Sequence, residues 1–387
     1  MNLRMPAEWE PHEATWLGWP HELTDWPGKF SPIPWAFAEI VRHLARVERV
    51  FLIVEDRAAE ARVKAILRKS GADLDAISFL HIPTDRGWMR DSGPIAVVGA
   101  STGGAPNTRR HPEGQTHRPE GSLSVSTHNQ REILRSAQND GSPTSGALVN
   151  FVFNGWAKYS NHKKDARVVA RANQKLKRRV ELTAHKGRRV VLEGGSIDVN
   201  GRGTLLTTEE CLLSSVQERN PGFTKDDYAE IFRRYLGVTN VLWLGNGIAG
   251  DDTHGHVDDL ARFVDPCTVL TVVEDDPSDA NYKPLRENLA RLKTMKDQDG
   301  RPLRVETLPM PKPVWFAGQR LPASYANCYI ANKIVLAPTF NDPADRAALN
   351  TLATLFPDRE VVPIYCRDLV LGLGTIHCMT QQLPRSS

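Results

Sequence analysis

Residues able to bond covalently to a substrate, or to hold its charge, recur at intervals along this 387-residue chain. Near the C-terminus, "LGLGTIHCMTQQ" (371–382) places Cys378 behind two glycines and before a polar run. The plain interpretation is a buried structural thiol, because free cysteines behave as small hydrophobic residues. The alternative is a nucleophile, which needs a base and further polar groups from elsewhere in the chain.

Two acidic residues stand beside turn-forming or glycine-rich sequence. Asp91 lies between Arg90 and a Ser-Gly-Pro turn in "GWMRDSGP", and Glu193 precedes Gly194 in "VVLEGGSIDVNG". The plain interpretations are a surface ion pair with Arg90 and a solvated glutamate at a strand end. The functional interpretation is a binding site, because glycines such as Gly194 let a ligand approach the backbone closely.

The densest polar cluster is "GDDTHGHVDDLARF", residues 250–263. Alternating histidines and carboxylates could chelate zinc or manganese, although no second cluster with ligand spacing occurs elsewhere in the sequence. If the segment is extended, His256 and Asp258 point to the same face. That arrangement favours a histidine that acts as acid and base beside a carboxylate that holds a cation.

One thiol, one histidine and three carboxylates together favour a particular electrophile. Acyl transfer by a cysteine and a histidine requires an oxyanion hole, and three acids around the sulfur would oppose it. A planar guanidinium, in contrast, presents N–H donors that carboxylates match in bidentate fashion. Its positive charge near the sulfur also favours thiolate over thiol. In a strand His377 would point away from the Cys378 face, so His256 is predicted as the base.

The elements that must position these residues follow a mixed α/β pattern. Helical periodicity is predicted over 35–47, 224–237, around Leu285 and around Leu349, with β-rich runs between. Five times a small or polar cluster leads into an apolar run, at Asp91, Glu193, His256, Asn327 and Cys378. The spacing indicates a repeated unit of roughly 50 to 70 residues whose strand ends face a shared centre.

Residues 101–147 differ in composition from the rest of the chain. They contain no aromatic residue and few branched aliphatics, so they cannot bury enough apolar area to offset the entropy of ordering. We predict a disordered surface insertion within a single catalytic domain that spans residues 1–387.

Composition excludes several classes of protein. With 49 basic and 46 acidic residues, the net charge of +3 is too balanced to predict a nucleic-acid or membrane surface. No leader or membrane-spanning segment is apparent, and the five dispersed cysteines are typical of reduced thiols. We therefore expect a cytoplasmic protein whose partners are a small molecule and, in a homo-oligomer, copies of itself.

The sequence resembles the agmatine deiminase family, within the guanidino-group-modifying superfamily that includes peptidylarginine deiminases and arginine amidinotransferases. The resemblance covers nearly everything outside residues 100–147. It is carried by "MPAEWEPHEATWLGWP", "WMRDSGP", "NFVFNGWAKY", "EGGSIDVNGRGTLLTTEECLL", "THGHVDDLARF", "SYANCYIANKIVLAPTFND" and "GTIHCMTQQ".

This resemblance implies a pentein fold, a five-bladed α/β propeller around one central site, and no metal or organic cofactor. It implies Cys378 as nucleophile, His256 as general acid and base, and Asp91 and Asp258 as carboxylates that hold the guanidinium. Glu193 is expected to line the site. The implied reaction converts agmatine to N-carbamoylputrescine and ammonia through an amidino-cysteine intermediate, on a route to putrescine.

Several alternatives stay open. The substrate could be free or peptidyl arginine, whose α-carboxylate would require a basic partner such as Lys158, Arg90 or Arg262. An amidinotransferase, a metal-dependent hydrolase and a non-catalytic guanidine-binding protein are more remote. Tryptophans such as Trp88 could line the alkyl channel by cation–π contact, or simply pack in the core. We include Trp88, Arg90, Glu193 and Gly194 among the candidate substrate-binding residues.

Overall fold

A computed structural model of the chain describes residues 3–99 and 146–385. Nearly all of the segment 101–147 lies outside these ranges, and its predicted disorder stays a prediction. The upper bound of that segment was wrong, because Ala147 begins a strand whose first three residues are buried. The apolar "ALV" of this strand belongs to the sheet rather than to the polar segment before it.

Helices in the described ranges occur at the amphipathic stretches of the sequence and at two short turns. They are α1 (Ile33–Ala45), α2 (Arg57–Ser70), α3 (Met89–Ser92), α4 (Val168–Leu176), α5 (Glu209–Leu213), α6 (Lys225–Leu236), α7 (Tyr282–Leu292), α8 (Ala344–Leu355) and α9 (Ile376–Met379).

Short strands alternate with these helices. They are β1 (Leu3–Arg4), β2 (His12–Gly18), β3 (Arg49–Val54), β4 (Ile77–His81), β5 (Ile95–Gly99), β6 (Ala147–Asn150), β7 (Arg179–Leu182), β8 (Ala184–His185), β9 (Arg188–Arg189), β10 (Asp198–Val199), β11 (Thr204–Thr208), β12 (Asn240–Leu244), β13 (Ala261–Asp265), β14 (Thr268–Val273), β15 (Arg304–Pro309), β16 (Val314–Phe316), β17 (Gln319–Leu321), β18 (Tyr329–Ile330), β19 (Ile334–Thr339), β20 (Glu360–Tyr365) and β21 (Thr380–Pro384).

One pattern of strand pairing occurs five times. A first strand pairs antiparallel with a second, and a helical crossover then leads to a third strand that is parallel to the second. The five units are β5-β6-α4-β7, β10-β11-α5-α6-β12, β13-β14-α7-β15, β18-β19-α8-β20 and β21-β2-α1-β3. The predicted five-bladed α/β architecture is confirmed by this repetition.

The last unit joins the two ends of the chain. Strand β21 pairs with β2 in the register Trp16↔Gln381, so the C-terminal strand completes the sheet that the N-terminal strand begins. Trp16 is fully buried there. Residues far apart in sequence are thereby brought around one centre.

Helix α6 illustrates how local sequence sets the elements. Thr224 caps its N-terminus, with its hydroxyl accepting from the Asp227 amide while the Asp227 carboxylate accepts from the Thr224 amide. Gly237 ends the helix at φ 70°, a left-handed conformation that glycine adopts without strain. The predicted apolar stripe is buried and includes Tyr228, Ile231, Phe232 and Tyr235. Both the cap and the stripe are confirmed.

The first strand of each unit is preceded by a tight turn. Helix α3 precedes β5, and α9 precedes β21. Short 3₁₀ turns at Gly194–Ser196 and Val257–Asp259 precede β10 and β13. These turns lie at equivalent ends of the units, which explains why the predicted site residues recur just before apolar strands.

No helix in the described residues is long and apolar enough to cross a membrane.

Replacement of residues 100–145 by a short Gly/Asn turn tests whether this segment contributes to the fold. Strands β5 and β6 are already antiparallel neighbours, with Val97 opposite Ala147. A shorter connection loses less closure entropy, so we expect the free energy of unfolding in urea to stay equal or rise by up to about 2 kcal/mol. A clear loss of stability would show that the segment is structural.

Candidate active site

Asp91 lies on the turn α3 and reaches the centre of the ring. Its Oδ1 accepts from the Gly195 amide at 3.1 Å, and its Oδ2 accepts from the Trp156 indole at 2.9 Å. Burial raises the pKa of Asp91 to about 6, and the nearby carboxylates of Asp258 and Glu193 add to the effect, although His256 opposes it. A cation placed beside Asp91 would therefore strongly stabilise its ionised carboxylate.

His256 lies among acidic side chains on both sides. Its Nδ1 is 3.9 Å from Asp91 Oδ1 and 4.0 Å from Asp258 Oδ1, while its Nε2 is 3.8 Å from Glu193 Oε2. These separations exceed hydrogen-bond length, and Nε2 has no partner. Burial lowers the pKa of His256, but the negative groups around it, Asp91 foremost, raise it well above the usual value. The resting imidazole is thus protonated.

Asp258 lies between a second histidine, His377, and the sulfur of Cys378. Its Oδ2 accepts from His377 Nδ1 at 2.7 Å and lies 3.8 Å from Cys378 Sγ. Its Oδ1 is buried and has no hydrogen-bond partner among the described residues. Although burial opposes ionisation, His377 and then His256 lower the pKa of Asp258. Asp258 is therefore an anion with one oxygen free to accept from a ligand.

Cys378 lies on the turn α9, is 6 % exposed, and contributes to the wall of a cavity. Its Sγ lies 3.1 Å from the donor Asn327 Nδ2. Burial and then Asp258, Asp259 and Asp91 raise the pKa of Cys378 well above the usual thiol value. The sulfur is a neutral thiol in the free protein, because the anions around it oppose a further negative charge.

Glu193 lies at the edge of this cluster and is paired with an arginine. Arg219 Nε donates to Glu193 Oε1 at 3.0 Å, and both side chains are fully buried. Burial opposes ionisation, but Arg219 lowers the pKa of Glu193 to about 2. Glu193 does not line the cavity. The geometry therefore makes it a neighbour of His256 rather than the expected wall of the substrate pocket.

A cavity of about 380 Å³ leads to the thiol. Asp91 and Cys378 are at its inner wall, whereas His256 and Asp258 are buried beside it and do not line it. The described lining residues include three acids and one base, as well as aromatic and polar side chains. The lining residues are Thr24, Asp25, Pro27, Arg86, Trp88, Asp91, Trp156, Tyr159, Asp252, Thr253, Phe316, Ala317, Gln319, Leu371, Gly372, Leu373 and Cys378.

Glycines allow the catalytic groups to approach one another. A Cβ on Gly195 would lie 2.5 Å from His256 Nδ1 and 3.0 Å from Asp91 Oδ1. A Cβ on Gly374 would lie 2.9 Å from Cys378 Cβ. The expected ligand contact of Gly194 is not seen at the cavity, since a Cβ there would meet the Arg90 carbonyl at 2.3 Å. Gly195 is the glycine of this pair that faces the reactive groups.

The structure places Arg90 in the protein interior rather than at the substrate-binding position that the sequence predicted. Its Nη1 donates to Gln382 Oε1 at 2.8 Å, and its Nη2 donates to Glu8 Oε2 at 3.0 Å. Arg90 is 3 % exposed, so it does not form the expected surface ion pair with Asp91. It does not line the cavity either, so it cannot contact a substrate there. Arg262 is likewise buried, against Glu8 and Asp198.

Other polar side chains are near the cavity mouth. Lys158 forms an ion pair with Asp252, which also accepts from the Tyr159 hydroxyl at 2.6 Å. Arg86 pairs with Asp25, whose pKa burial raises to about 6 against the opposing charge of Arg86. Arg86, which sequence reasoning missed, is the basic residue among the described lining residues.

The tryptophans divide between the two roles that the sequence allowed. Trp88 and Trp156 line the cavity, and Trp88 donates to Asp25 Oδ2 at 3.0 Å and stacks on Trp26 at 5.5 Å between ring centres. Trp16 is fully buried in the core. Trp88 thus lies in the cavity wall, and its contact with a substrate stays a prediction.

Two groups of donors in the described residues lie close enough to share a metal ion. They are Glu193, Cys211 and His256, and Asp258, Asp259 and Cys378. In the first group Glu193 is already neutralised by Arg219, and in the second Asp258 is bound to His377. A divalent cation would have to compete with these fixed positive charges, which makes the donor sets poor metal sites.

The structure assembles residues that the sequence did not suggest. The prediction of a strand at His377 is wrong, because Ile376–Met379 form a helical turn. The His377 ring hydrogen-bonds to Asp258. The segment at His256 is likewise a 3₁₀ turn rather than extended. A histidine directly before the nucleophile and a glutamate in the N-terminal motif were the available signals for His377 and Glu8.

The change Gly195→Ala should separate catalysis from folding. A methyl group at this position displaces His256 or Asp91, and a misplacement of about 1 Å can lower turnover ~100-fold. We expect the thermal unfolding midpoint to change little, and Gly245→Ala, where the nearest described atom is 3.3 Å away, to keep activity. Normal turnover in Gly195→Ala would show that a glycine at this position is not needed to place His256 and Asp91.

Comparison with known proteins places this geometry in a family. Residues 4–384 match the model of the Porphyromonas-type peptidyl-arginine deiminase family. The chain is 33 % identical to an agmatine deiminase of Pseudomonas aeruginosa over 99 % of this chain and 96 % of that protein. It is 32 % identical to the agmatine deiminase of Stutzerimonas stutzeri, over 98 % and 95 %.

A solved structure has the same architecture. The agmatine deiminase of Enterococcus faecalis superposes with a TM-score of 0.81 at 28 % identity, covering 100 % of this chain and 97 % of that one. An agmatine deiminase of C. jejuni, solved with substrate bound, gives 0.78 at 25 % identity, over 99 % and 97 %. The pentein fold expected from the resemblance is confirmed, and the chain belongs to the Porphyromonas-type peptidyl-arginine deiminase family.

Proposed function

We propose that this protein is an agmatine deiminase, which hydrolyses the guanidinium of agmatine to N-carbamoylputrescine and ammonia. The observation that carries the proposal is a buried thiol, Cys378, beside the carboxylates Asp91 and Asp258, with Asp258 Oδ1 lacking a partner. Such a site is complementary to a flat cation with several N–H donors. The similarity to agmatine deiminases over nearly the whole chain supports the same reaction.

Binding of the substrate prepares the nucleophile. The guanidinium donates to Asp91 and Asp258 and compensates their charge, which removes the main electrostatic opposition to a thiolate at Cys378. The thiol then loses its proton to solvent, and the sulfur bonds to the guanidinium carbon. This order of events ties the reactive form of the enzyme to the presence of the correct substrate.

His256 moves the protons of the two half-reactions. As an imidazolium it donates a proton to the departing nitrogen, the C–N bond breaks, and ammonia leaves an amidino group on Cys378. The neutral imidazole then takes a proton from water, which adds to the amidino carbon. The C–S bond breaks, the added hydroxyl passes its proton to the departing sulfur, which restores the thiol, and the neutral ureido product leaves. Glu193, fixed by Arg219, stabilises the imidazolium from its Nε2 side.

The charge of the cavity favours agmatine over arginine. Agmatine carries an ammonium at the far end of its chain, whereas arginine adds a carboxylate. Among the described lining residues Asp25, Asp91 and Asp252 are acidic, and Arg86 already pairs with Asp25. A substrate carboxylate would meet these acids as well as Arg86, which opposes its binding.

The remaining expectations belong to the same proposal. All five cysteines are free, as is typical of proteins from reducing compartments, and we propose that the enzyme acts in the cytoplasm on a small molecule without a metal or organic cofactor. Homo-oligomer formation stays a prediction.

Turnover of a substrate panel tests the proposal. We expect ammonia release from agmatine, at least about 100-fold less from free arginine and little from an arginine peptide, because each carries groups that the acidic cavity disfavours. Cys378→Ala should abolish release, and EDTA should not. Hydrolysis of arginine peptides without hydrolysis of agmatine would contradict the proposal, and dependence on an acceptor amine would indicate an amidinotransferase.

The pH dependence of the thiol tests the proposed role of the acids. Because the pKa of Cys378 is raised, the free enzyme should show no thiolate absorbance from this residue at neutral pH, measured as the difference from Cys378→Ala. Asp258→Asn removes the largest charge that opposes ionisation, so the onset of thiolate should move to lower pH. A thiolate already formed in the free enzyme at pH 7 would contradict this order of events.

A further inference from the structure

His377 lies between two carboxylates in the interior of the protein. Its Nδ1 is 2.7 Å from Asp258 Oδ2, and its Nε2 is 2.8 Å from Glu8 Oε2. The histidine is 1 % exposed and Asp258 is fully buried. Glu8 comes from the N-terminal segment, so this chain of contacts links the first residues of the protein to the residue before the nucleophile.

The geometry requires both ring nitrogens of His377 to donate. An ionised carboxylate only accepts hydrogen bonds, so a neutral imidazole would turn a lone pair toward one of the two anions. Glu8 is held as an anion, since burial raises its pKa but Arg262, His377 and Arg90 together lower it well below the usual value. The hydrogen-bond geometry therefore points to an imidazole that donates to both carboxylates.

The main chain of His377 is also fixed. Its amide donates to Asn327 Oδ1 at 3.1 Å, and its carbonyl accepts from Arg90 Nε at 3.3 Å. The same asparagine faces Cys378 Sγ. The turn that presents the sulfur thus also presents the imidazole, and neither can shift without the other.

The contact with His377 divides the roles of the two Asp258 oxygens. Oδ2 is occupied by the imidazole, while Oδ1 is buried without a partner. We propose that His377 is a positioning residue which, fixed by Glu8 and Arg90, turns Asp258 Oδ1 toward the guanidinium and keeps that carboxylate ionised. This inference rests on the proposed function, because it assigns the free oxygen to a guanidino substrate.

His377 matters because Asp258 lies among both acidic and basic groups, and His377 is the base in hydrogen-bond contact with it. The titratable and charged groups that face it come from its own segment, from the turn α9, from the turn α3 and from β13: His256, Asp259, His377, Cys378, Asp91 and Arg262. The contact with His377 is the largest of the interactions that lower the pKa of Asp258, so its loss favours a protonated Asp258, which accepts the N–H donors of a cation less well.

The protonation of His377 can be measured without any substrate. In Cys378→Ala labelled with ¹³C and ¹⁵N, NMR should show a proton on both ring nitrogens of His377, with the ring signals assigned through bonds from the backbone of His377. A His377 ring with one unprotonated nitrogen would overturn the proposal. This readout does not depend on which guanidino compound the enzyme hydrolyses.

The variant His377→Gln tests the positioning role in catalysis. Burial raises the pKa of Asp91 to about 6, and we expect its ionisation to contribute to the acid limb of kcat/KM in the wild type. In the variant Asp258 becomes protonated at higher pH, so we expect the acid limb to move up by about one pH unit or more, with KM raised more than kcat is lowered and activity partly recovered in alkali.

A matched control is His185→Gln, which removes a histidine–carboxylate contact of the same 2.7 Å length at Asp227, outside the site. The acid limb of the kcat/KM profile should not move in His185→Gln. A uniform loss of activity in His377→Gln with an unmoved limb would overturn the positioning role. If this variant fails to fold, as judged by thermal unfolding, the NMR result decides. If the wild type hydrolyses no guanidino compound, the proposed function fails while the NMR result still stands.

Discussion

Buried negative charge around one sulfur is the constraint on which the rest of the structure depends. Asp91 and Asp258 have their carboxylates inside the protein, and Cys378 lies beside them with a pKa raised well above the usual value. Isolated anions in such surroundings are strongly unfavourable. Specific donors stabilise these acids, and the proposed substrate cation would supply the further positive charge.

The surrounding architecture supplies these donors from distant parts of the chain. Arg219 neutralises Glu193, His377 bonds to Asp258, and Trp156 with Gly195 hydrogen-bonds Asp91. Each of these groups is carried by a different unit or connection of the propeller. Closure of the ring by β2 and β21 is what brings Glu8 to His377. The fold therefore positions charges more than it shapes an apolar pocket.

The sequence predicted the candidate site residues at the ends of the units, but it did not predict the buried residues that pair with them. Cys378, His256, Asp91 and Asp258 were predicted to meet because each precedes an apolar strand in a repeated pattern; the five units confirm that pattern, while the catalytic roles stay a proposal. Arg90 and Gly194 were assigned to the substrate because they adjoin the acids in sequence, but buried contacts direct them elsewhere. His377 was missed because a helical turn, not a strand, follows Gly374. Pairings between buried charges depend on tertiary distances, which local periodicity does not contain.

The central claim is that the buried acids recognise the substrate by its positive charge rather than by its shape. The most direct measurement is calorimetric binding of two ligands to Cys378→Ala: agmatine, and N-carbamoylputrescine, which keeps the distal ammonium but has a neutral urea of nearly the same size in place of the guanidinium. Because charge-assisted hydrogen bonds contribute about 1.5 to 3 kcal/mol each, agmatine should bind at least roughly 100-fold more tightly. Equal affinity for the two ligands would contradict the account.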